Sequence, residues 1–175
     1  MKGKELLVHC CCGPCSTSSI ERLLEEGYEP ILYFTNSNID TENEFEKRYE
    51  NLLLVAEHYR LKVLKDEYQH DRWLDAIKGF EGEKEHGARC PLCFNFSLKR
   101  AYEKARELNI PHFCTTLTVS RFKNSKVIFS VGEKYEGFVP LDFKKKNGFA
   151  RSVEIAKELN LYRQEYCGCE FSKTR

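Results

Sequence analysis

No apolar stretch in this chain approaches the ~18 consecutive residues that a membrane span requires, and Met-Lys-Gly-Lys-Glu at the start leads into too few apolar residues for a secretory h-region. No membrane partner is expected, and the chain reads as soluble and cytoplasmic. A dominant charge is also lacking. Lys plus Arg number 28 and Asp plus Glu 27, for a net charge of +1, so any nucleic-acid surface has to come from local clustering. Repeats and low-complexity tracts are absent. A length of 175 residues suffices for one hydrophobic core but not comfortably for two, so a single domain over 1–175 is expected.

What the chain does have is cysteine, nine of them. Cys10, Cys11, Cys12 and Cys15 fall within His9-Cys-Cys-Cys-Gly-Pro-Cys15, directly after the apolar run Leu6-Leu7-Val8. Cys90-Pro-Leu-Cys93 is a CxxC, Cys167-Gly-Cys169 is a CxC, and Cys114 stands alone. An odd number containing adjacent cysteines that cannot readily pair is a poor disulfide framework. In a reducing compartment such groups are metal-binding or catalytic. To act together, the three groups must converge in space.

Periodicity places them. Leu6 to His9 reads as a buried strand and Ser16 to Glu26 as a helix with Gly27 at its C-cap, so the first cysteine group is a strand-to-helix turn. Pro30 to Thr35 is a second strand, Asn36 to Ile39 a loop, Thr41 to Tyr59 an amphipathic helix and Leu61 to Leu64 a third strand. A short helix over Asp71 to Lys78 precedes a polar stretch, Gly79 to Arg89, that reads as solvated loop. Cys90 opens a helix running to Asn109, His112 to Leu117 is a fourth strand, and Asn124 to Tyr135 and Gly148 to Asn160 are further helices. Alternating strands and helices predict a Rossmann-like α/β fold, a mostly parallel sheet flanked by helices. Ligands of such sheets gather beyond the carboxyl ends of the strands, where the Cys10–Cys15 turn belongs.

Thiolates bind iron–sulfur clusters, zinc and cuprous copper, and a helix N-terminus favours negative sulfur. Three readings stay open on this pattern: an iron–sulfur centre, a structural zinc held by four of the thiols, or thiol redox chemistry without metal. Seven or more cysteines exceed the four that zinc needs. The CxC can close only a small, strained disulfide, the easily reduced kind, with Gly168 giving the backbone its freedom; the alternative makes both thiols further ligands. Cys114 lies in an apolar strand pattern and reads as a core thiol. His9 borders the turn and reads either as an acid beside a sulfur or as a structural histidine.

The ordered motifs H-x-C-C-G-P-C-S, R-C-P-L-C-F, T-T-L-T-V-S-R-F-K-N, D-F-K-K-K-N-G and L-Y-R-Q-E-Y-C-G-C-E-F-S resemble the QueH family of epoxyqueuosine reductases over nearly the whole chain. The resemblance implies an enzyme of tRNA queuosine biosynthesis that reduces the epoxide of epoxyqueuosine to the cyclopentene of queuosine, using a [4Fe–4S] cluster and no cobalamin. It places the cluster ligands at Cys11, Cys12, Cys90 and Cys93 and a redox pair at Cys167 and Cys169. Cys10 departs from the family, which more often has an apolar residue there. Removing an epoxide oxygen as water takes two electrons and two protons, whereas such a cluster passes one electron at a time. Either the Cys167/Cys169 dithiol supplies the second, or a surplus thiolate, Cys15 or Cys10, holds an additional mononuclear iron that acts as Lewis acid. Asp142, His9 and Tyr166 are the candidate proton donors, by proximity to the motifs.

The partner implied is tRNA carrying epoxyqueuosine in its anticodon loop, together with an unidentified electron donor. Arg121, Lys123, Lys126, Lys144, Lys145, Lys146, Arg151 and Arg163, interleaved with Phe122, Phe143, Phe149 and Tyr162, are the candidate RNA surface. Two rival readings remain. Iron–sulfur tRNA thiolation enzymes need a Ser-Gly-Gly-type phosphate loop after the first strand, where this chain has cysteines. A zinc-stabilised RNA-binding module would perform no catalysis.

Overall fold

The computed structural model describes residues 4–173. Four parallel strands, β1 (Lys4–His9), β2 (Tyr28–Phe34), β3 (Val63–Lys65) and β4 (Phe113–Thr115), form one sheet in the order 3-2-1-4. Six α-helices connect and flank them: α1 (Gly13–Glu25), α2 (Glu42–Tyr59), α3 (His70–Ala76), α4 (Arg89–Glu107), α5 (Ser125–Gly132) and α6 (Gly148–Glu158). Parallel neighbours need crossovers, and helices in those crossovers cover both faces of the sheet, so the covered middle of a central strand is apolar on both sides. That is why Leu6, Leu7 and Val8 are all fully buried.

The period of two in β1 sorts the layers. Leu6 and Val8 pack with Ile20 and Leu23 of α1, Phe45, Leu52 and Val55 of α2 and Ala156 of α6. Leu7 faces the other way, toward Leu98 and Ala101 of α4 and Ile128 of α5. Each such side chain contributes about 1.5–3 kcal/mol through burial. The α1–α6 contact is close: Ser18 Oγ donates to the Gly148 carbonyl at 2.8 Å. A Cβ at Gly148 would lie 1.7 Å from the Phe143 carbonyl oxygen, so only glycine fits the start of α6.

The expected architecture is present, with local differences. Helix α1 begins at Gly13 rather than Ser16, because Cys12 is its N-cap and Pro14 suits its first turn. Strand β3 starts at Val63, two residues later than expected. Arg60 takes a left-handed cap conformation and the Leu61 N–H returns to the Ala56 carbonyl, so residues 60–61 finish α2. After β4 the chain leaves the sheet at Thr115, whose Oγ1 accepts from the Leu117 N–H and starts a 3₁₀ turn, Thr116–Val119. The Gly79–Arg89 stretch is largely exposed, but it wraps a buried Arg89 whose Nη1 donates to the carbonyls of Phe80, Glu81 and Glu83.

The carboxyl ends of β2 and β3 are locked by Asp66, which accepts from Thr35 Oγ1 at 2.7 Å and from both Nε and Nη2 of Arg100 on α4. Burial pushes the Asp66 carboxyl up, and the hydrogen bonds from Arg100 and Thr35 more than reverse this, leaving it below its ordinary value. A lowered carboxyl stabilises the fold above the unfolded aspartate pKa, and that contribution is lost as pH falls through the folded value. Asp66→Asn is expected to cost about 1.5–3 kcal/mol at neutral pH, the worth of hydrogen bonds to a charged group. Urea unfolding should show the gap to the parent protein closing as the pH is lowered below the ordinary aspartate range.

Candidate metal and redox site

All nine cysteines are free thiols, and seven of them meet beyond the carboxyl edge of the sheet. The turn after β1 carries Cys11, Cys12 and Cys15, whose sulfurs all lie within 4.8 Å of one another. Cys12 Sγ accepts from the Cys15 N–H at 3.4 Å as the cap of α1, and Cys11 Sγ donates toward it at 4.0 Å. Donation from Cys11, then from Cys15, holds the Cys12 thiol well below its ordinary pKa, helped by a Gln164 amide N–H. Hydrogen bonding to Cys12 pushes Cys11 up, and hydrogen bonding to Cys11, then to Cys12, pushes Cys15 up, helped in both by burial. One thiolate at a helix N-terminus flanked by two thiols is a site able to hold a metal ion.

The other two groups arrive from elsewhere in the chain. Cys90 and Cys93 sit on the first turn of α4, one turn apart and on one face. Burial raises the thiol pKa of Cys90, and that of Cys93 strongly. Cys167 and Cys169 are delivered by the segment after α6. A cavity of about 180 Å³ is lined by Cys11, Cys15, Cys93 and Cys167, and a smaller one of about 20 Å³ by Cys90, Cys93, Cys167 and Cys169. Cys93 and Cys167 line both, so the cavities adjoin. The smaller holds about one water's volume. A group larger than a single ion therefore belongs at the junction with the larger cavity.

The residues suit such a group in two respects. The donor set is sulfur-rich beyond the needs of a four-coordinate ion. Two buried donors on the small cavity, Trp73 Nε1 and Arg89 Nη2, have no hydrogen-bond partner, and buried donors are rarely left so.

Residues far apart in sequence fix the CxC segment. Arg48, on α2 and almost wholly buried, pairs with Glu44 at 2.8 Å and donates to the carbonyls of Cys167 at 2.8 Å and Tyr166 at 3.0 Å. The Asp40 N–H donates to the Gly168 carbonyl at 2.8 Å, and Tyr166 Oη donates to the Asp40 carboxylate at 2.6 Å. Gly168 has φ +144°, and a Cβ there would press on Asn38 and Arg48 at 3.1 and 3.2 Å. His70 adds a tie, bonding the Ser37 carbonyl at 2.8 Å and Glu170 at 3.1 Å. Sequence reasoning passed over Arg48 and His70. Glu44 and Arg48 at i, i+4 look like an ordinary surface pair on a helix, and a lone histidine carries no signal.

The remaining candidates divide. Cys10 and Cys114 both lie in the core, and burial raises the Cys10 thiol to about 12, so Cys10 does not face the site. His9 lines the large cavity but is buried and bonded at both nitrogens: Nδ1 to Thr115 Oγ1 at 2.8 Å, Nε2 to the Thr35 carbonyl at 3.1 Å. Burial lowers its pKa. Asp142 lines neither cavity; its carboxylate accepts from Ser125 Oγ and the Lys144 N–H.

Of the basic residues, Lys123 lies among the sulfurs and lines both cavities. Burial disfavours its charge, but the negative charge that the neighbouring sulfurs of Cys167, Cys11, Cys15 and Cys12 can carry outweighs this and raises its pKa. Arg121 and Arg163 line the large cavity with Phe122 and Phe149, and the Arg121 guanidinium lies over both rings at 5.0 and 4.9 Å. Lys144 Nζ donates to Ser125 Oγ at 2.7 Å, Lys145 is exposed on the same turn, and Arg151 is held by Glu21 and Glu154.

A family model described as epoxyqueuosine reductase QueH matches residues 6–175. Relatives bearing the name epoxyqueuosine reductase QueH include proteins of Streptococcus pyogenes serotype M1 (37% identical; 95% of this chain, 69% of the relative), Haemophilus influenzae (36%; 96% and 71%) and Thermotoga maritima (34%; 95% and 89%). Among solved structures, the U34-tRNA thiolase NcsA of Methanococcus maripaludis, described with its [4Fe–4S] cluster, has a TM-score of 0.60 at 14% identity, covering 98% of this chain and 62% of that one. A predicted subunit of a tRNA methyltransferase from Methanocaldococcus jannaschii gives 0.56 at 14%, covering 89% and 75%. At that identity the likeness is one of fold.

In metal-free protein, one thiolate is expected to titrate below the ordinary thiol range. It should vanish in Cys12→Ser and persist in Cys10→Ser, read by ultraviolet thiolate absorbance against pH.

Proposed function

Because the chain belongs to the epoxyqueuosine reductase QueH family, we propose that it deoxygenates epoxyqueuosine in tRNA to queuosine at the cavities between its three cysteine groups. The observation that carries this reading is the convergence of seven thiols from three distant stretches of chain, beneath a rim of arginine and phenylalanine. Nine free thiols suit a reducing, cytoplasmic setting, and among the described residues no helix is long and apolar enough to cross a membrane. On this reading residues 1–175 act as one reductase domain.

Cys11, Cys12, Cys90 and Cys93 would hold a [4Fe–4S] cluster, and Cys15, within 4.8 Å of Cys11 and Cys12, is the surplus thiol for an additional iron. Bound there, the metal centre would relay electrons singly from the donor to the oxidised Cys167/Cys169 pair and supply a Lewis acid for oxygen. The chain's own thiols supply the rest of the balance. Cys167 and Cys169 give up two electrons and two protons as their S–S bond forms, while the epoxide loses both C–O bonds, gains the alkene and releases its oxygen as water. Gly168 permits the tight Cys-Gly-Cys turn, and Arg48 holds the carbonyls on either side of Cys167. The unidentified electron donor then reduces the disulfide.

Lys123 replaces Asp142 as the better-placed proton source. It stands on both cavity walls among sulfurs whose negative charge raises its pKa, and would pass its proton to the leaving oxygen and regain one from the dithiol. His9 is neutral and fully bonded, so its part is to shape the turn. Gln164 Oε1, buried on the large cavity without a partner, offers an acceptor to a substrate donor. Arg121 and Arg163 suit phosphate, and Phe122 and Phe149 suit stacking on an extruded base. Lys144, Lys145 and Arg151 would extend that basic face.

Anaerobically purified protein is expected to be brown, to bleach with dithionite and to contain at least about four irons. Colourless protein with stoichiometric zinc would remove the electron relay that regenerates the dithiol and leave the RNA-binding reading. With epoxyqueuosine-tRNA, Lys123→Met should lower single-turnover deoxygenation by about 10²–10⁴-fold, the usual worth of a positioned acid. Cys169→Ser should abolish turnover; full turnover in that variant would dispose of the dithiol step.

A further inference from the structure

The small cavity contains two polar groups that the assignments above leave idle. Trp73 is fully buried on α3 and Arg89 is 1% exposed at the start of α4. Both line the cavity shared by Cys90, Cys93, Cys167 and Cys169. The Trp73 indole is held by ring stacking, with His70 at 5.3 Å and 15° on one side and Phe171 at 6.4 Å and 25° on the other. The Arg89 guanidinium lies over the Phe171 ring at 5.1 Å, and its Nη1 is spent on three carbonyls. Yet neither Trp73 Nε1 nor Arg89 Nη2 completes a hydrogen bond of good geometry, although the indole N–H already approaches the Cys93 sulfur. Orphaned buried donors are costly, and two on one small sulfur-lined cavity are explained when the sulfur there becomes a stronger acceptor than a thiol.

Resting on the iron–sulfur reading, we propose that Trp73 Nε1–H and Arg89 Nη2–H are the hydrogen-bond donors to the Cys93 and Cys90 sulfurs of the metal centre and set its reduction potential. Neither would be a ligand; both are positioning residues acting through the CxxC. Metal binding deprotonates Cys90 and Cys93 and leaves negative sulfur on the wall of a cavity with room for about one water, where it needs hydrogen-bond donors from the protein. An indole N–H and a guanidinium meet that charge from the side away from the large cavity, leaving the substrate face clear. Reduction adds a further negative charge, so donors to sulfur favour the reduced state and raise the potential. Phe171, packed against both donors, ties them to the segment that carries Cys169.

The test uses the full chain, reconstituted anaerobically with iron and sulfide, as wild type, Trp73→Phe and Arg89→Lys. Iron and labile sulfide are counted, and the one-electron potential is then titrated by EPR. Each variant is expected to load as the wild type does and to be at least tenfold harder to reduce, a shift of about 59 mV to lower potential. Because the chain has one tryptophan, ¹⁵N-indole labelling of the wild type gives a second readout free of mutation. Pulsed EPR of the reduced protein should show a ¹⁵N coupling and an exchangeable deuteron at the centre. Full loading with unchanged potentials and no ¹⁵N coupling overturns the inference and leaves the reductase reading standing. A wild type that takes up no iron overturns both. If a variant fails to load, the coupling in the wild type decides.

Discussion

The site depends on one buried histidine. His9 ends the central strand, and its two ring nitrogens reach Thr115 at the end of β4 and the Thr35 carbonyl at the end of β2. The Asn36 amide, next along, donates to the Cys10 carbonyl at 2.8 Å. Three strand ends are thereby set at fixed separations, and the turn that follows His9 has a single exit path. Cys10 turns into the core, the Cys11 N–H donates to Thr116 Oγ1, and Cys12 caps α1. The sulfur geometry follows from sheet closure rather than from any preference of the cysteines themselves.

A second constraint is charge. Several thiols that must share negative charge in a buried place need compensation, and the fold provides it from three directions. The N-terminus of α1 and the Cys15 N–H serve Cys12. Lys123, beyond the 3₁₀ turn, lies among Cys11, Cys15 and Cys167. Arg48, brought from the middle of α2, has its charge shared between Glu44 and the carbonyls of Tyr166 and Cys167. Without these, each additional thiolate would raise the cost of the next.

Much of this was legible in the sequence because the fold is carried by local signals. Alternating strand and helix periods gave the parallel sheet, and CxxC and CxC spacings marked the sulfur groups. The elements drifted by two or three residues where side-chain chemistry overrode propensity: a cysteine acting as a helix cap, a threonine ending a strand, an arginine in a left-handed cap. Lys123 read as a phosphate contact, since nothing in Arg-Phe-Lys-Asn reveals which cation turns inward. Asp142 sat beside a motif and proved to hold a turn together. Arg48, His70, Trp73 and Arg89 were invisible as site residues, because each matters through a contact made across at least one other element of the fold.

The segment carrying Cys167 and Cys169 has little regular structure of its own. Backbone bonds from Arg48 and Asp40, the Lys173–Asp40 ion pair and the His70–Glu170 contact hold it in place. All of those anchors lie at least ninety positions earlier in the chain. During synthesis, the sheet and the first two sulfur groups would thus emerge from the ribosome well before the third. For that interval the nascent protein would present an open, thiol-lined cleft to any ion or oxidant that reacts with thiols. Biogenesis of the site therefore has an order written into the topology, with two sulfur groups placed first and enclosure last.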